Sequence, residues 1–540
     1  MKKVKYIMAV VSLLGISACN NDFMDRFPED KINDATYWTT ESDLKNYANQ
    51  FYSTMEALNG YRDDDNSDNQ ANRSRSEFLW SDYTIPTTGG GWSKDDWSKI
   101  RSCNYFLTHC GTVTGQQDEI NRYKGEVYFF KAKFYYEKVL RFGDVPWLTS
   151  ELGTSSEALY GPRNPRGEVM DSICACLDKA IQWLPEDMKE SRLSKYAALA
   201  LKSRACLFEG TWRKSRNLEN ADKYLRASAE ASKQIINSGK FDLFSTGKPE
   251  TDYHDLFTQQ DLKGNKEAIF YAEYVLDKKM HNRPREVHEA GTGMTKDFVE
   301  SFLCTDGKPI SVSKLYKGDA KFMDEFENRD PRLKQCVYTP DRPIAILANG
   351  SEEFEEAPIF NNMNYTGYRL YKVYSPLAID NEYIRCTIDD IIYRYGEVLL
   401  NYAEAKAELG ECDQAVLDIT INKLRDRVGM PHLTVNVGFT DANWPKWEVS
   451  ISPLLNEIRR ERRVELACEG LRWNDLCRWK AGKLIENEKT YLGARDPETN
   501  AYRELYQGMT RTWNDRMYLY PIPTDEFSYN PNLLPQNPGW

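Results

Sequence analysis

The sequence predicts a mostly α-helical protein in which helical hairpins stack as a tetratricopeptide-like superhelix, interrupted by large insertions with short strands. Two observations carry this. Apolar residues recur at helical spacing in several blocks, and the blocks pair into hairpins of about 35–45 residues, the period at which helical repeats stack. Between them lie Gly-, Pro- and Asn-rich stretches too long for plain loops.

In 117–142, Tyr123, Val127, Phe130 and Phe134 share one face of a helix. The alanine-rich block 194–209 lets a neighbouring helix approach closely. In 391–409, Ile392, Tyr395, Leu399, Tyr402 and Ala403 form an apolar stripe that Gly410 ends. Leu417, Ile421, Leu424 and Val428 begin the next stripe so soon afterwards that the two helices must pack antiparallel. Comparable pairs join 95–110 to 117–142 and 168–184 to 194–210, and one long helix is expected over 454–480. Residues 37–540 thus read as one domain, with helical repeats over 95–238 and 390–480 and insertions at 59–94 and 240–385. The proline-rich 482–540 reads as an extended strap across the helices, because Pro withholds the donor that a helix or sheet needs.

The chain opens MKKVKYIMAVVSLLGISAC: three lysines, a short apolar run, then small residues before Cys19. A run this short falls below the roughly 20 residues that span a bilayer and reads as a secretory signal peptide over 1–18. The Cys after a small pair resembles the lipobox of bacterial lipoproteins, which implies acylation of Cys19; the alternative is an ordinary signal peptide with an incidental Cys. Residues 19–36 then form a polar leader. Several acyl chains, at about 0.8 kcal/mol per buried CH₂, would hold the protein on a membrane.

Lys plus Arg total 71 against 82 Asp plus Glu, a formal charge of −11, which argues against nucleic acid and against docking on anionic lipid by charge. Aromatics make up 13% of the chain, more than a core needs, so some can serve as exposed platforms. The 12 cysteines show no zinc-ribbon spacing, and most read as buried small hydrophobes, with a disulfide or two left open.

The C-terminal half carries NRDPR (328–332), IYRYGEVLLNYAE (392–404), INKLRDRVGM (421–430), IRRERRVELACEGLRWNDLCRW (458–479), LYPIP (519–523) and NPNLLPQNPGW (530–540). Together with KIRSCNYFL (99–107) and FVESFLCTDGKPI (298–310), these resemble the SusD/RagB family of surface glycan-binding lipoproteins, in order along nearly the whole mature chain. The resemblance implies a SusD-like helical fold and no cofactor. It also implies an oligosaccharide ligand and a SusC-like TonB-dependent outer-membrane transporter as partner, over which such proteins sit like lids. The Arg, Glu and Trp of 458–479 read as architecture, an amphipathic helix bracing its neighbours, rather than as a ligand cradle.

No HExxH, GxSxG or Walker motif occurs, and the five histidines read as loop or core residues. Asp63–Asp68 imitates a calcium loop but lacks the Gly and terminal Glu of an EF-hand, so a solvated acidic turn is expected, with no metal. Binding is the better reading. The candidate glycan contacts are Tyr61, Arg75, Trp80 and Trp92 in the first insertion, with Gly89–Gly91 presenting Trp92 at a loop tip, and Tyr365 in the second. Sugars pack a CH-rich face on an aromatic ring and place hydroxyls among polar groups. Each ring is worth roughly 1–1.5 kcal/mol, so capture is weak, which suits a tethered receptor feeding a neighbouring transporter. The rival readings are an oligopeptide receptor of the same fold, a helical glycoside hydrolase using an acidic pair, and a ligand-free interaction scaffold.

Overall fold

Helix α1 (Glu41–Tyr52) begins at a capping box in which Asp43 accepts from the Thr40 amide at 2.8 Å, satisfying donors that a bare helix start leaves open. The computed structural model describes residues 37–55, 62, 64–153, 155–188, 191–289 and 291–540. The signal and leader segments, with Cys19, lie outside the described residues, as does Tyr61.

Helices α2 (Lys94–His109), α3 (Gln117–Phe142), α4 (Arg166–Trp183), α5 (Lys195–Ser215) and α6 (Ala221–Asn237) follow, then α7 (Tyr395–Glu408), α8 (Ile421–Arg427), α9 (Pro453–Glu465) and α10 (Arg472–Arg478). Each packs on its neighbour in turn: α2 on α3, α3 on α4, α4 on α5, α5 on α6, α6 on α7 and α7 on α9. This is the stacked helical superhelix that the hairpin spacing implies. Helix α3 is buried on several faces, with Phe129, Phe130, Tyr135 and Phe142 all inside, as befits a central helix covered by α1, α2 and α4. The alanines of α5, Ala197, Ala198, Ala200 and Ala205, are buried at close helix contacts.

Three expectations need correction. Ile392 lies in strand β6 (Asp390–Arg394), which pairs antiparallel with β2 (Ala268–Ala272), so α7 begins only at Tyr395. The 417–428 stripe is broken at Ile419–Thr420 into Gln414–Asp418 and α8. The long helix over 454–480 is two helices, because Cys468 and Gly470 take left-handed φ values of 60° and 71° and turn the chain.

The insertion between α6 and α7 has a core of its own around Tyr253, Phe298, Phe302, Leu333 and Tyr368. The β2–β6 pair joins it to the helices. A two-residue pairing of β1 (Gln70–Ala71) with β3 (Gly293–Met294) ties the first insertion to the second. Across the helices runs the C-terminal segment: the Tyr520 amide donates to Arg141 O at 2.7 Å, and Asn537 Nδ2 donates to Phe142 O at 3.0 Å.

The charged motifs are internal struts. Glu465, buried at the end of α9, accepts from Arg427 Nη2 at 2.6 and 2.7 Å, Arg394 Nη1 at 2.8 Å and Arg332 Nη1 at 2.9 Å. Burial pushes its carboxyl up, but the three guanidinium groups hold it well below the usual carboxylate range. Between α7 and α10, Arg478 donates from both Nη atoms to Glu404 at 2.6 Å, and Trp479 Nε1 donates to the same carboxylate at 2.6 Å.

Glu404 yields a test of this network. Burial raises its pKa, but Arg478, Arg462 and Arg459 draw it down to about 2 from the usual 4.5. A depressed folded-state pKa gives stability that is complete above the unfolded value and lost as pH falls through the folded one. Wild-type stability should therefore decline between pH about 4.5 and about 2, with Glu404 contributing roughly 3 kcal/mol of the loss. Urea midpoints measured across this range should fall less steeply in Glu404→Gln, which starts from a lower stability at neutral pH; identical slopes would count against the strut.

Candidate functional site

Trp80 sits on a loop folded by the contact of Ser81, at φ 57°, with the C-terminal segment: Ser81 Oγ donates to Thr512 O at 2.9 Å and Arg516 Nη2 donates to Ser81 O at 3.1 Å. Phe78 stacks on Tyr520 with centroids 4.1 Å apart. Trp80 is thereby turned toward Tyr506, at 5.4 Å edge-on, and Tyr491, at 6.3 Å.

Tyr491 and Tyr506 flank a hairpin of β7 (Leu492–Arg495) and β8 (Tyr502–Glu504) in the C-terminal segment. The hairpin presses on the second insertion, where the Ala494 amide donates to Thr366 O at 2.8 Å. A Cβ on Gly493 would lie 2.1 Å from that carbonyl, so only glycine permits the approach. Tyr365 is thus carried to 6.2 Å from the Tyr506 ring. Tyr506 donates its hydroxyl to Asn72 O at 2.7 Å, and burial pushes its phenol up to about 12, so it stays neutral.

Trp80, Tyr506 and Tyr365, all half-buried, therefore form one aromatic arc drawn from three distant segments. Guanidinium groups lie against it. Arg511 is over Trp80 at 5.2 Å and Tyr506 at 5.6 Å, Arg75 over Trp80 at 5.6 Å, and Arg503 over Tyr365 at 5.8 Å. Arg75 is itself ion-paired with Asp82. The arrangement offers partly exposed rings ringed by donors, suited to holding a polar ligand with apolar faces.

Of the expected contacts, the structure brings together Arg75, Trp80 and Tyr365. Trp92 does not sit at a loop tip. The Gly89–Gly91 turn, at positive φ throughout, folds back on α3, with Lys138 Nζ donating to Gly91 O at 2.6 Å and Arg141 Nε to Gly90 O at 3.0 Å. Trp92 is left 5% exposed, edge-on to Phe142 at 4.8 Å and Trp97 at 5.3 Å. The acidic turn is not solvated either. Asp64 and Asp68 are buried, Asp64 accepting from the Cys468 amide at 2.9 Å and Asp68 paired with Arg472 at 2.7 Å and Arg463 at 3.4 Å. It is the rivet that holds the first insertion on α9 and α10.

Tyr491, Tyr506, Arg503 and Arg511 were not among the expected contacts, although 491–513 interleaves tyrosines and arginines throughout. Two cavities lie elsewhere. One of about 390 Å³ is lined by Arg204, Glu397, Arg394 and Glu469, and one of about 490 Å³ adjoins His288. In the first, Arg204 is paired with Glu397 at 2.6 Å and Arg394 with Glu469 at 2.7 Å, so its charges are already matched. Among the described residues no helix is long and apolar enough to cross a membrane. Nine of the eleven described cysteines are buried, and none is bridged.

The family model described as SusD family matches residues 257–540, and a second, described as "Starch-binding associating with outer membrane", matches 20–207. The chain belongs to the SusD family. SusD-like protein P2 of Formosa agariphila is 26% identical over 100% of both chains, and a SusD-like protein of Bacteroides ovatus is 23% identical over 89% of this chain and 83% of that one. The crystal structure of a SusD-like protein from Bacteroides fragilis superposes with a TM-score of 0.76 at 27% identity, covering 95% of this chain and 100% of that one. Another from the same species, a SusD-like carbohydrate-binding protein, gives 0.73 at 22% identity over 92% and 100%.

Trp92→Ala should behave as a core truncation, lowering stability by about 3–5 kcal/mol in chemical denaturation. Loss of ligand affinity at unchanged stability would return Trp92 to the binding surface.

Proposed function

We propose that this chain is a non-catalytic glycan-binding lipoprotein of the outer membrane. It captures oligosaccharide on the Trp80–Tyr506–Tyr365 arc and delivers it to a SusC-like TonB-dependent transporter. The observation that carries the reading is the convergence of three half-buried rings from three remote segments, with Tyr506 between Trp80 at 5.4 Å and Tyr365 at 6.2 Å. Membership of the SusD family and the starch-binding, outer-membrane description of the N-terminal match support it. So does the Cys19 signal. Weak capture by a few rings is enough for a receptor tethered beside its transporter, where the ligand's local concentration is high.

Isothermal calorimetry against a polysaccharide panel tests the site. Tyr506→Ala and Tyr365→Ala should each weaken binding by roughly five- to tenfold, corresponding to about 1–1.5 kcal/mol of ring contact, with no reducing ends released during titration. Undiminished affinity in both variants would remove the arc as the site. Anchoring is tested separately: Cys19→Ser should move the protein from the membrane fraction to the soluble fraction, and continued sedimentation with membranes would contradict acylation at Cys19.

A further inference from the structure

Building on the glycan-binding reading, we infer that the ligand is an anionic glycan, one bearing carboxylate or sulfate-ester groups, and that Arg73 and Arg503 meet those groups beside Tyr365.

The argument starts from charge matching. The chain carries a formal −11, and Arg332, Arg394, Arg427 and Arg478 in its interior are answered by carboxylates, while buried Arg329 spends its donors on the main-chain carbonyls of Glu325, Val299 and Phe302. At the arc neither device uses up the guanidinium groups. Among the described residues, Arg73, Arg503 and Arg511 have no carboxylate oxygen within 4.0 Å. Of the acids nearby in sequence, Asp82 is paired with Arg75 and Asp68 with Arg472 and Arg463, Asp65 accepts from Asn72 and Thr292, and the exposed Glu77 and Glu504 lie beyond 4.0 Å of all three guanidinium groups.

Geometry gives the three arginines different parts. Arg511 is buried against Trp80, Tyr491 and Tyr506, with Nη1 donating to Thr490 Oγ1 at 3.1 Å and Nε without a partner. It supplies positive potential from beneath the rings rather than a contact. Arg503 is half-buried, its guanidinium lying over Phe360 at 5.6 Å and Tyr365 at 5.8 Å. A guanidinium resting on an aromatic face is fixed in orientation while its N–H edge stays available, and that fork matches a carboxylate or sulfate. Arg73 is exposed and follows Asn72, whose carbonyl accepts from the Tyr506 hydroxyl at 2.7 Å, which places it at the arc. A neutral sugar is served by any mixture of donors and acceptors. Arg73, Arg503 and Arg511 put three cations without a carboxylate partner at one end of the arc, and that excess favours an anion.

Affinity electrophoresis and calorimetry on the mature protein would use polygalacturonate for carboxylates, carrageenan for sulfate esters, and amylose and xyloglucan as neutral polymers. The protein's net negative charge repels polyanions in general, so retention reports a local site. Binding to an acidic polymer is expected. It should weaken roughly tenfold in Arg73→Gln and in Arg503→Gln, and fall steeply as salt rises from about 0.05 to about 0.5 M. Arg73 is exposed, so its variant should keep the wild-type melting temperature. Which acidic polymer binds distinguishes carboxylate from sulfate recognition. Binding confined to the neutral polymers, or arginine variants with unchanged affinity, would overturn the inference and leave glycan capture standing. Binding to neither class would remove both.

Discussion

A carboxylate taken out of water must find cations or surrender its charge. Glu465 meets that constraint with arginines from three separated parts of the chain: Arg332 in the second insertion, Arg394 at the end of β6 and Arg427 at the end of α8. Around it, Glu267, Asp330, Glu461 and Glu469 are matched in turn by those arginines and by Arg425 and Lys372. Removing one member would leave its partners charged and dry, which typically costs about 3–5 kcal/mol. Such a cluster adds little net stability, because desolvation offsets the attraction, while breaking it is costly.

The aromatic arc depends on the same device. Asp68 belongs to the first insertion, yet its partners Arg463 and Arg472 belong to α9 and α10. That pairing, with the β1–β3 contact and the Ser81–Thr512 hydrogen bond, fixes a segment that has little regular structure of its own. Trp80, Tyr506 and Tyr365 are consequently placed by the helical scaffold although they sit on loops.

Much of the architecture was legible because it rests on periodicity. The face of Tyr123, Val127, Phe130 and Phe134 marks α3 in the sequence, and the same residues are buried. The break inside 454–480 was not legible, since helix-forming residues continue through Leu466 and Ala467 and only the left-handed Cys468 and Gly470 end the run. Arg and Glu at three- and four-residue spacing in 458–479 already suggested internal bracing, and the buried ion pairs of Arg462 and Arg463 show its extent.

The site divides differently. Composition and motif order singled out an aromatic-rich first insertion and the family it resembles, because residue type is a local property. Which rings stand together is not local. Trp92 and Trp80 lie twelve positions apart in similar surroundings, but contacts with α3 fold one into the core, while contacts with 491–512 bring the other to Tyr506. A side chain's exposure is set by what packs over it, and here the covering segments are remote in sequence, α3 for Trp92 and 491–512 for Trp80. Only the folded chain could assemble the arc and leave Arg503 and Arg511 beside it without a carboxylate.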